Sequence, residues 1–556
     1  MTGVRTLERP APLADDIARV EADPPRRIPA LDPLWLVVAA VSVAVAAFLG
    51  HQLMAWPPHE DEALALLTGR DSLGGVISHV TGDRGGAPLH FLVAWAVAHL
   101  GLGLGGLRAV SAAFAVGSLP LIALLARRLA GREVAIGTVV LAAASWIVLF
   151  HGVYGRMYSL FLFLSLVSCL ALLRARDSGT RADWGRWLVA ILLCVAAHPY
   201  GALVVASQGV AALATRWDRR RATVAWFATM AILAVPFWLT DIVLAGRFDV
   251  GVGGGGAKLG GPGAVVDYLY EAAGDMTAGW PWVLAPVLIA AGVGLLTAPR
   301  RAKVLSAAFV AVPAVAFIAA RLGSSAAPES RHLIFVAPFF LLCVVLGIRW
   351  LARGIRPAVG LAVGTLAVAA VAWAWQRTPP LFEWEPSARQ EAREAASRYV
   401  ASTGLDDDLL LGYDPLFLGA WEDNRAFRAT VLPRADGQLL LKILRRTPTP
   451  LGHGVFVLDK SDTSNVDPQL YLAPRRPLPE EAFSARGFGP FLVIRTREPV
   501  ETIDGYLFAA RQAMLLGQSL EIGDADINRA TIERAQALYD ASRWGDASAG
   551  ASSDSR

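Results

Sequence analysis

Five short segments of the chain concentrate ionisable and aromatic residues at the mouths of apolar runs. PPHEDEA supplies His59, Glu60, Asp61 and Glu62, and DRGGAPLHF supplies Asp83, Arg84 and His90. HGVYGRMYS carries His151, Tyr154, Arg156 and Tyr158, and SSAAPESRH carries Glu329, Arg331 and His332. HPYG adds His198 and Tyr200 as a weaker point, because Pro199 and Gly201 equally suit a plain turn. Carboxylates on one segment and guanidiniums on two others suit a reaction that removes a proton on one side of an electrophile and holds a phosphate on the other. A guanidinium offers a planar fork to two oxygens and stays charged at all accessible pH. On this reading Asp61 is the candidate base, with Glu62 beside it. Arg156 and Arg331 are the candidate phosphate holders, and His90, His198 and Tyr158 assist at phosphate or sugar. Asp61 is also the one candidate ligand should a divalent metal ion take part, and no motif for another cofactor accompanies it. Taken singly, each segment has a plainer explanation: a solvated acidic loop, a structural histidine, or an arginine anchored to lipid phosphate.

The elements that must position these residues are membrane helices. Of 556 residues, 54% are hydrophobic and only 18% are charged, with a mean hydropathy of +0.46. A soluble chain of this length needs more polar surface, and a disordered one fewer apolar runs. A span takes about 20 apolar residues, and the candidates are 34–53, 107–126, 134–151, 158–173, 187–198, 201–214, 222–240, 282–298, 303–320, 332–348 and 357–375. The two runs flanking HPYG are short and read as a hairpin of abbreviated helices. Parity settles the remaining run, 88–104. If it does not cross, the clusters around Arg127, Arg174, Arg219, Arg300 and Arg349 all fall on the side of the N-terminal tail, as the positive-inside rule requires. It is therefore expected to be an interfacial or re-entrant helix on the outer side. The formal charge of +4 is accounted for by these loops and needs no nucleic acid. Cys169, Cys194 and Cys343 each sit inside an apolar run and read as small buried hydrophobes.

The expected organisation is a cytoplasmic tail over 1–32, a membrane module over 33–375 with an outer loop at 54–106, and an extracytoplasmic α/β domain over 376–545. Within that domain DLLLGYD, GVFVLD and PFLVIRT read as strands, and 387–402 and 501–543 as amphipathic helices. Residues 546–556 read as a disordered tail. No strand precedes the glycine-rich run at 251–263 and the phosphate-loop lysine is missing, so it is a flexible loop, with a lid over bound lipid as one role.

Residues 34–350 resemble the membrane module of GT-C glycosyltransferases, in particular the protein O-mannosyltransferase-like and lipid A aminoarabinose transferase-like group. The resemblance rests on DEA after the first span (61–63), PLHF (88–91), LRAVSAAF…LARRLAGR (107–132), YGRMYSL (154–160), HPYG (198–201) and SRHLIFVAPF (330–339). It implies a multi-pass enzyme of a bacterial-type plasma membrane that moves a sugar from a polyprenyl-phosphate carrier to an outer acceptor, whether glycan, lipid or protein. It also implies that Asp61 is the catalytic acid of the first outer loop. The aminoarabinose transferases carry a second Asp between their third and fourth spans, where this chain has YGRMY. A metal bridging two aspartates is therefore not expected.

A base opposite a departing phosphate implies a single displacement with inversion at the anomeric carbon. The competing function is a transporter or flippase of polyprenyl-linked glycans, which would place charges at mid-depth of the spans. A third reading makes the membrane part a scaffold for the C-terminal domain as a binding module.

Overall fold

The computed structural model describes residues 32–215, 220–248, 262–320, 330–434, 436–460, 481–519 and 523–553. Glu329 and the glycine-rich run from 251 to 261 lie outside the described residues. The first helix, α1 (Pro33–Ala55), starts where the Asp32 carboxylate accepts from the Leu34 N–H at 3.1 Å. Its 23 residues rise about 35 Å, enough for a hydrocarbon core of about 30 Å. Three short helices follow on the outer loop, α2 (Glu60–Gly69), α3 (Leu73–Ser78) and α4 (Pro88–His99), and then the long α5 (Gly103–Ala130) re-enters the bundle. The bundle continues with α6 (Arg132–Ala144), α7 (Trp146–Val153), α8 (Tyr158–Ser178), α9 (Arg181–Ala197), α10 (Gly201–Thr215) and α11 (Arg220–Phe248). It closes with α12 (Pro262–Met276), α13 (Pro281–Thr297), α14 (Arg300–Ala320), α15 (Ala337–Leu351) and α16 (Arg356–Arg377).

Among the described residues seven helices are long and apolar enough to cross a membrane, or nine if two bent pairs each count once. The chain is thus a polytopic α-helical membrane protein. α9 and α10, of 17 and 15 residues, are the abbreviated pair around HPYG. α4 has 12 residues, about 18 Å of rise, and cannot cross. It packs chiefly on α2 and also touches α5 and α9.

The run at 134–151 reads as one span but is broken. α6 and α7 meet at 53°, where Ser145 is extended and its hydroxyl donates to the Ala142 carbonyl at 2.7 Å. A broken ladder is tolerated at membrane depth where neighbouring protein covers it, and α7 lies against α1, α5 and α16. Trp146 just past the break donates from Nε1 to Thr378 Oγ1 at 2.9 Å.

The two ends of the bundle differ in charge. At one end the arginine clusters meet four acids: Arg127 reaches Asp32 at 3.2 Å, Arg128 and Arg301 reach Asp177 at 2.6 and 3.3 Å, Arg356 reaches Glu133 at 2.7 Å, and Arg174 reaches Asp183 at 2.9 Å. The opposite end carries the outer-loop helices and the C-terminal domain.

That domain opens with α17 (Ser387–Thr403), then β1 (Leu409–Gly412), α18 (Asp414–Asp423), β2 (Thr430–Val431), α19 (Gly437–Arg446), β3 (Gly454–Asp459), β4 (Phe483–Phe488) and β5 (Phe491–Thr496). It ends with α20 (Ile503–Ser519) and α21 (Gly523–Ser553), so helix runs on into the segment that composition reads as a disordered tail. The sheet order is β2-β1-β3-β5-β4. β1 pairs in parallel with β2 and β3, while β5 is antiparallel to β3 and β4. β1 and β3 are buried along their whole length and read as continuous apolar runs for that reason.

The domain is not tethered loosely. Ala63, Leu66 and Leu67 of α2, Ala94 and Val97 of α4 and Leu107 of α5 share one apolar core with Leu416, Phe417 and Trp421 of α18 and Val455 of β3. Arg434, at the C-terminal side of β2, pairs with Glu60. Lys442 and Arg446 of α19 converge on the buried Asp83, the latter at 3.0 Å.

Candidate active site

The site is built at the start of α2. His59 caps the helix, accepting from the Asp61 N–H through Nδ1 at 3.2 Å, while Glu62 accepts from the His59 N–H at 2.9 Å. This reciprocal capping box fixes which way Asp61 and Glu62 point. They point apart.

Glu62 is fully buried and its oxygens are taken up by protein donors. Arg108 donates from Nε to Oε1 at 2.9 Å and from Nη2 to Oε2 at 2.7 Å, and the Gly155 N–H reaches Oε1 at 2.6 Å. Arg108, also buried, uses its remaining donors on the carbonyls of Leu53, Trp56 and Pro57 at 2.7 to 2.9 Å. A buried ion pair is stable only with such complete hydrogen bonding. It ties the end of α1, the start of α2 and the α7–α8 turn together. A Cβ at Gly155 would sit 3.0 Å from Glu62 Oε1 and 3.2 Å from Leu107, so the glycine of YGR is where the turn closes on the pair.

Asp61 faces the other way, its side chain 32% exposed. Tyr154 donates its hydroxyl to Oδ2 at 2.7 Å. Arg156 Nε stands 3.9 Å from the same oxygen, and Arg156 Nη1 donates to the Asp61 carbonyl at 3.2 Å. Beyond Tyr154 lies Tyr158, their rings stacked with centroids 6.3 Å apart, and the Arg331 guanidinium sits 5.4 Å from the Tyr158 ring centre. Asp61, Arg156, Tyr158 and Arg331 thus converge from α2, the α7–α8 turn, α8 and the short 3₁₀ segment Ser330–Val336 that leads into α15. His198, between α9 and α10, is 5.5 Å from Tyr158 and 5.6 Å from His332 by ring centres. Its Nδ1 accepts from the Tyr200 N–H at 3.0 Å, while its Nε2 is buried without a hydrogen-bond partner. His90 at the head of α4 is likewise buried, with Nε2 unpartnered. Buried polar atoms ordinarily have partners, yet with both nitrogens of the buried His151, 4.7 Å from Tyr158 by ring centres, four imidazole nitrogens among the described residues lack a hydrogen bond here.

The electrostatics follow from this geometry. Burial alone would raise the Asp61 carboxyl, but Arg156, then His59, Arg331 and the Tyr154 hydroxyl outweigh it and hold it well below the usual carboxylate range. Burial and then the charge of Arg156 push His90 down to about 3 against the pull of Asp61, so its ring is neutral. His59 is lowered too, by burial first, with Arg331 and Arg156 adding to it against Asp61 and Glu62. Two guanidiniums around one carboxylate leave a cationic excess, which suits an incoming anion. Among the described residues no three His, Cys, Asp or Glu groups come together as a metal-ligand set. That cationic surround also disfavours a divalent cation at Asp61.

Two of these roles are not evident from the segments. Tyr154, within the quoted HGVYGRMYS, is the hydroxyl donor to Asp61. Arg108 is the partner of Glu62, and its signal was a single charge at the head of the otherwise apolar LRAVSAAF, since an ionisable group near a bilayer needs a counterpart.

The fold and site together define a polytopic membrane protein with a cationic cluster around Asp61 and an α/β domain packed on the helices beside it. No protein-family model and no curated protein matches the chain. Solved structures do. ArnT from Cupriavidus metallidurans in the apo state matches with a TM-score of 0.54 at 14% identity, over 83% of this chain and 97% of that one. The same protein bound to undecaprenyl phosphate matches with TM-score 0.54 at 14% identity, over 84% and 98%. The arabinofuranosyltransferase AftD from Mycobacteria matches with TM-score 0.50 at 14% identity, over 84% of this chain and 40% of that one. The likeness is one of fold: this chain is built like these ArnT and AftD structures.

Proposed function

We propose that this chain is a membrane glycosyltransferase that moves a hexosyl or pentosyl unit from a polyprenyl-phosphate carrier to an extracytoplasmic acceptor. The observation that carries the reading is the convergence of Asp61, Arg156 and Arg331 at the end of the bundle opposite the arginine clusters. The ArnT structure with undecaprenyl phosphate supports a polyprenyl carrier. With the arginine-rich end cytoplasmic, the site and its cap face outward.

Asp61 takes the proton of the acceptor hydroxyl as that oxygen bonds to the anomeric carbon. The bond from that carbon to phosphate breaks, and the electron pair leaves on the polyprenyl phosphate. Arg156 and Arg331 hold the departing oxygens, with Tyr158, His90 and His198 at phosphate or sugar. In-line attack inverts the anomeric centre. Arg156 and Arg331 have a second effect: they depress Asp61 while the pocket holds no phosphate. A bound phosphate draws on the same cations, so the carboxylate becomes more basic when the donor is in place. Glu62, its oxygens occupied, serves as a positioning residue for α2. No step calls on a metal.

The test is transfer by the purified full-length protein supplied with a panel of polyprenyl-phosphate sugars, scored against translocation of the same lipids across vesicles. Translocation without transfer would favour a flippase. A product retaining the donor's anomeric configuration would remove the single displacement. A reporter in the 127–133 loop that scored as external would reverse the topology.

A further inference from the structure

Asp275 is a fully buried carboxylate near the end of α12 that the reaction above leaves unused. Ser330 donates its hydroxyl to Oδ2 at 2.5 Å, Trp373 donates from Nε1 to Oδ1 at 3.3 Å, and Arg377 Nε lies 3.3 Å from Oδ1. Arg377 also pairs with Glu271 one turn earlier on α12, and its guanidinium stands 5.5 Å from the ring centre of Trp146, the residue that begins α7. One carboxylate therefore joins α12, α16 and the first residue of the Ser330–Val336 segment. The next residue is Arg331.

A buried carboxylate is costly even when satisfied, and apolar packing often serves stability as well or better. Stability alone does not account for its presence here. The segment it grips is 3₁₀, a helix with poorer hydrogen bonds than an α-helix, so its register depends on outside anchors. Arg331 must hold its guanidinium over Tyr158, and misplacement by about 1 Å at such a group costs orders of magnitude in rate.

We infer that Asp275 is a positioning residue for Arg331: by fixing Ser330 against α12 and α16 it sets where the guanidinium meets the carrier phosphate. The inference rests on Arg331 being a phosphate holder, as proposed above.

The experiment measures binding of undecaprenyl phosphate to the purified full-length protein in detergent for wild type, Asp275→Ala, Ser330→Ala, Arg331→Ala and the two double variants with Arg331→Ala. Reactivity of Arg331 toward phenylglyoxal, read by mass spectrometry without lipid, is the second measurement. Loss of the anchor should weaken binding about tenfold in Asp275→Ala and less in Ser330→Ala. If Asp275 acts through Arg331, neither change weakens binding further once Arg331 is alanine, and phenylglyoxal labelling of Arg331 changes in both single variants. Additive losses, or unchanged labelling, overturn the inference. If Asp275→Ala does not fold, the Ser330→Ala cycle decides by the same criteria. If wild type and Arg331→Ala bind the lipid equally, the functional reading has failed at this residue, and the labelling still decides whether Asp275 places the side chain.

Discussion

Arginines and carboxylates gather at both ends of the helix bundle, but they are used differently. At the end built from Asp32, Glu133, Asp177 and Asp183, the pairs other than those of the buried Asp183 stand largely in solvent: Arg356 is 78% exposed and Arg128 34%. Such pairs contribute little, about 0–1 kcal/mol each, and their information is topological. At the opposite end Glu62 and Arg108 are buried and mutually saturated, whereas Asp61 stands open between Arg156 and Arg331. The difference is one of closure. A satisfied buried pair builds the wall, and beside it, in the function proposed above, an incompletely compensated set meets the carrier phosphate.

The strongest way to test this division is to neutralise the open carboxylate. Asp61→Asn should lower transfer by about 10²–10⁴-fold with protein level and melting temperature unchanged; near-normal turnover would remove Asp61 as base. Breaking the closed pair should do the reverse. Arg108→Ala leaves Glu62 charged and buried, and should destabilise by about 3–5 kcal/mol, read as thermal unfolding in detergent. A change confined to transfer, with stability intact, would mean the pair is not the wall described.

Arg156→Lys sharpens the contrast, because charge is kept and the planar fork is lost. Undecaprenyl phosphate binding should weaken about tenfold. Smaller still is the pH effect. Asp61 sits below its usual value of 3.8, so its ionised form is complete above that value and is lost only as pH falls through the lowered one. kcat/KM should accordingly show no acid fall-off down to about pH 5, while kcat, which reports the loaded enzyme, should turn down at a higher pH. At the solvent-facing end, Arg128→Ala should stay within about 0.5 kcal/mol and leave transfer unchanged.

The sequence was informative where a single physical constraint acts on consecutive residues. Spans such as α1, α8 and α16 are plain because hydrocarbon demands long apolar runs, and charge parity is the argument that keeps α4 from crossing. The fully buried β1 and β3, and β5 with only Arg495 part-exposed, stood out as apolar runs. What depends on distant partners was hidden. The break at Ser145 needs α16 beside it, where Trp146 finds Thr378. β2 has two residues and no periodicity of its own, and FSARGF of β4 is exposed along Ala485, Arg486 and Gly487 with no alternation to mark it. In the site, Asp61, Arg156 and Arg331 were selected by type and by position at span mouths. The opposite orientation of Glu62 depends on Arg108, 46 residues away, and no local pattern states that distance.

The apolar core that α2, α4 and α5 share with α18 and β3 carries a consequence for dissection of the chain. A protease cut in the connector around Thr378 would free no soluble fragment, because Leu66 and Val97 lie on the membrane side of the cut and Phe417 and Trp421 on the other. The severed halves should co-purify, and the cap expressed alone should aggregate through the face it presents to the outer-loop helices.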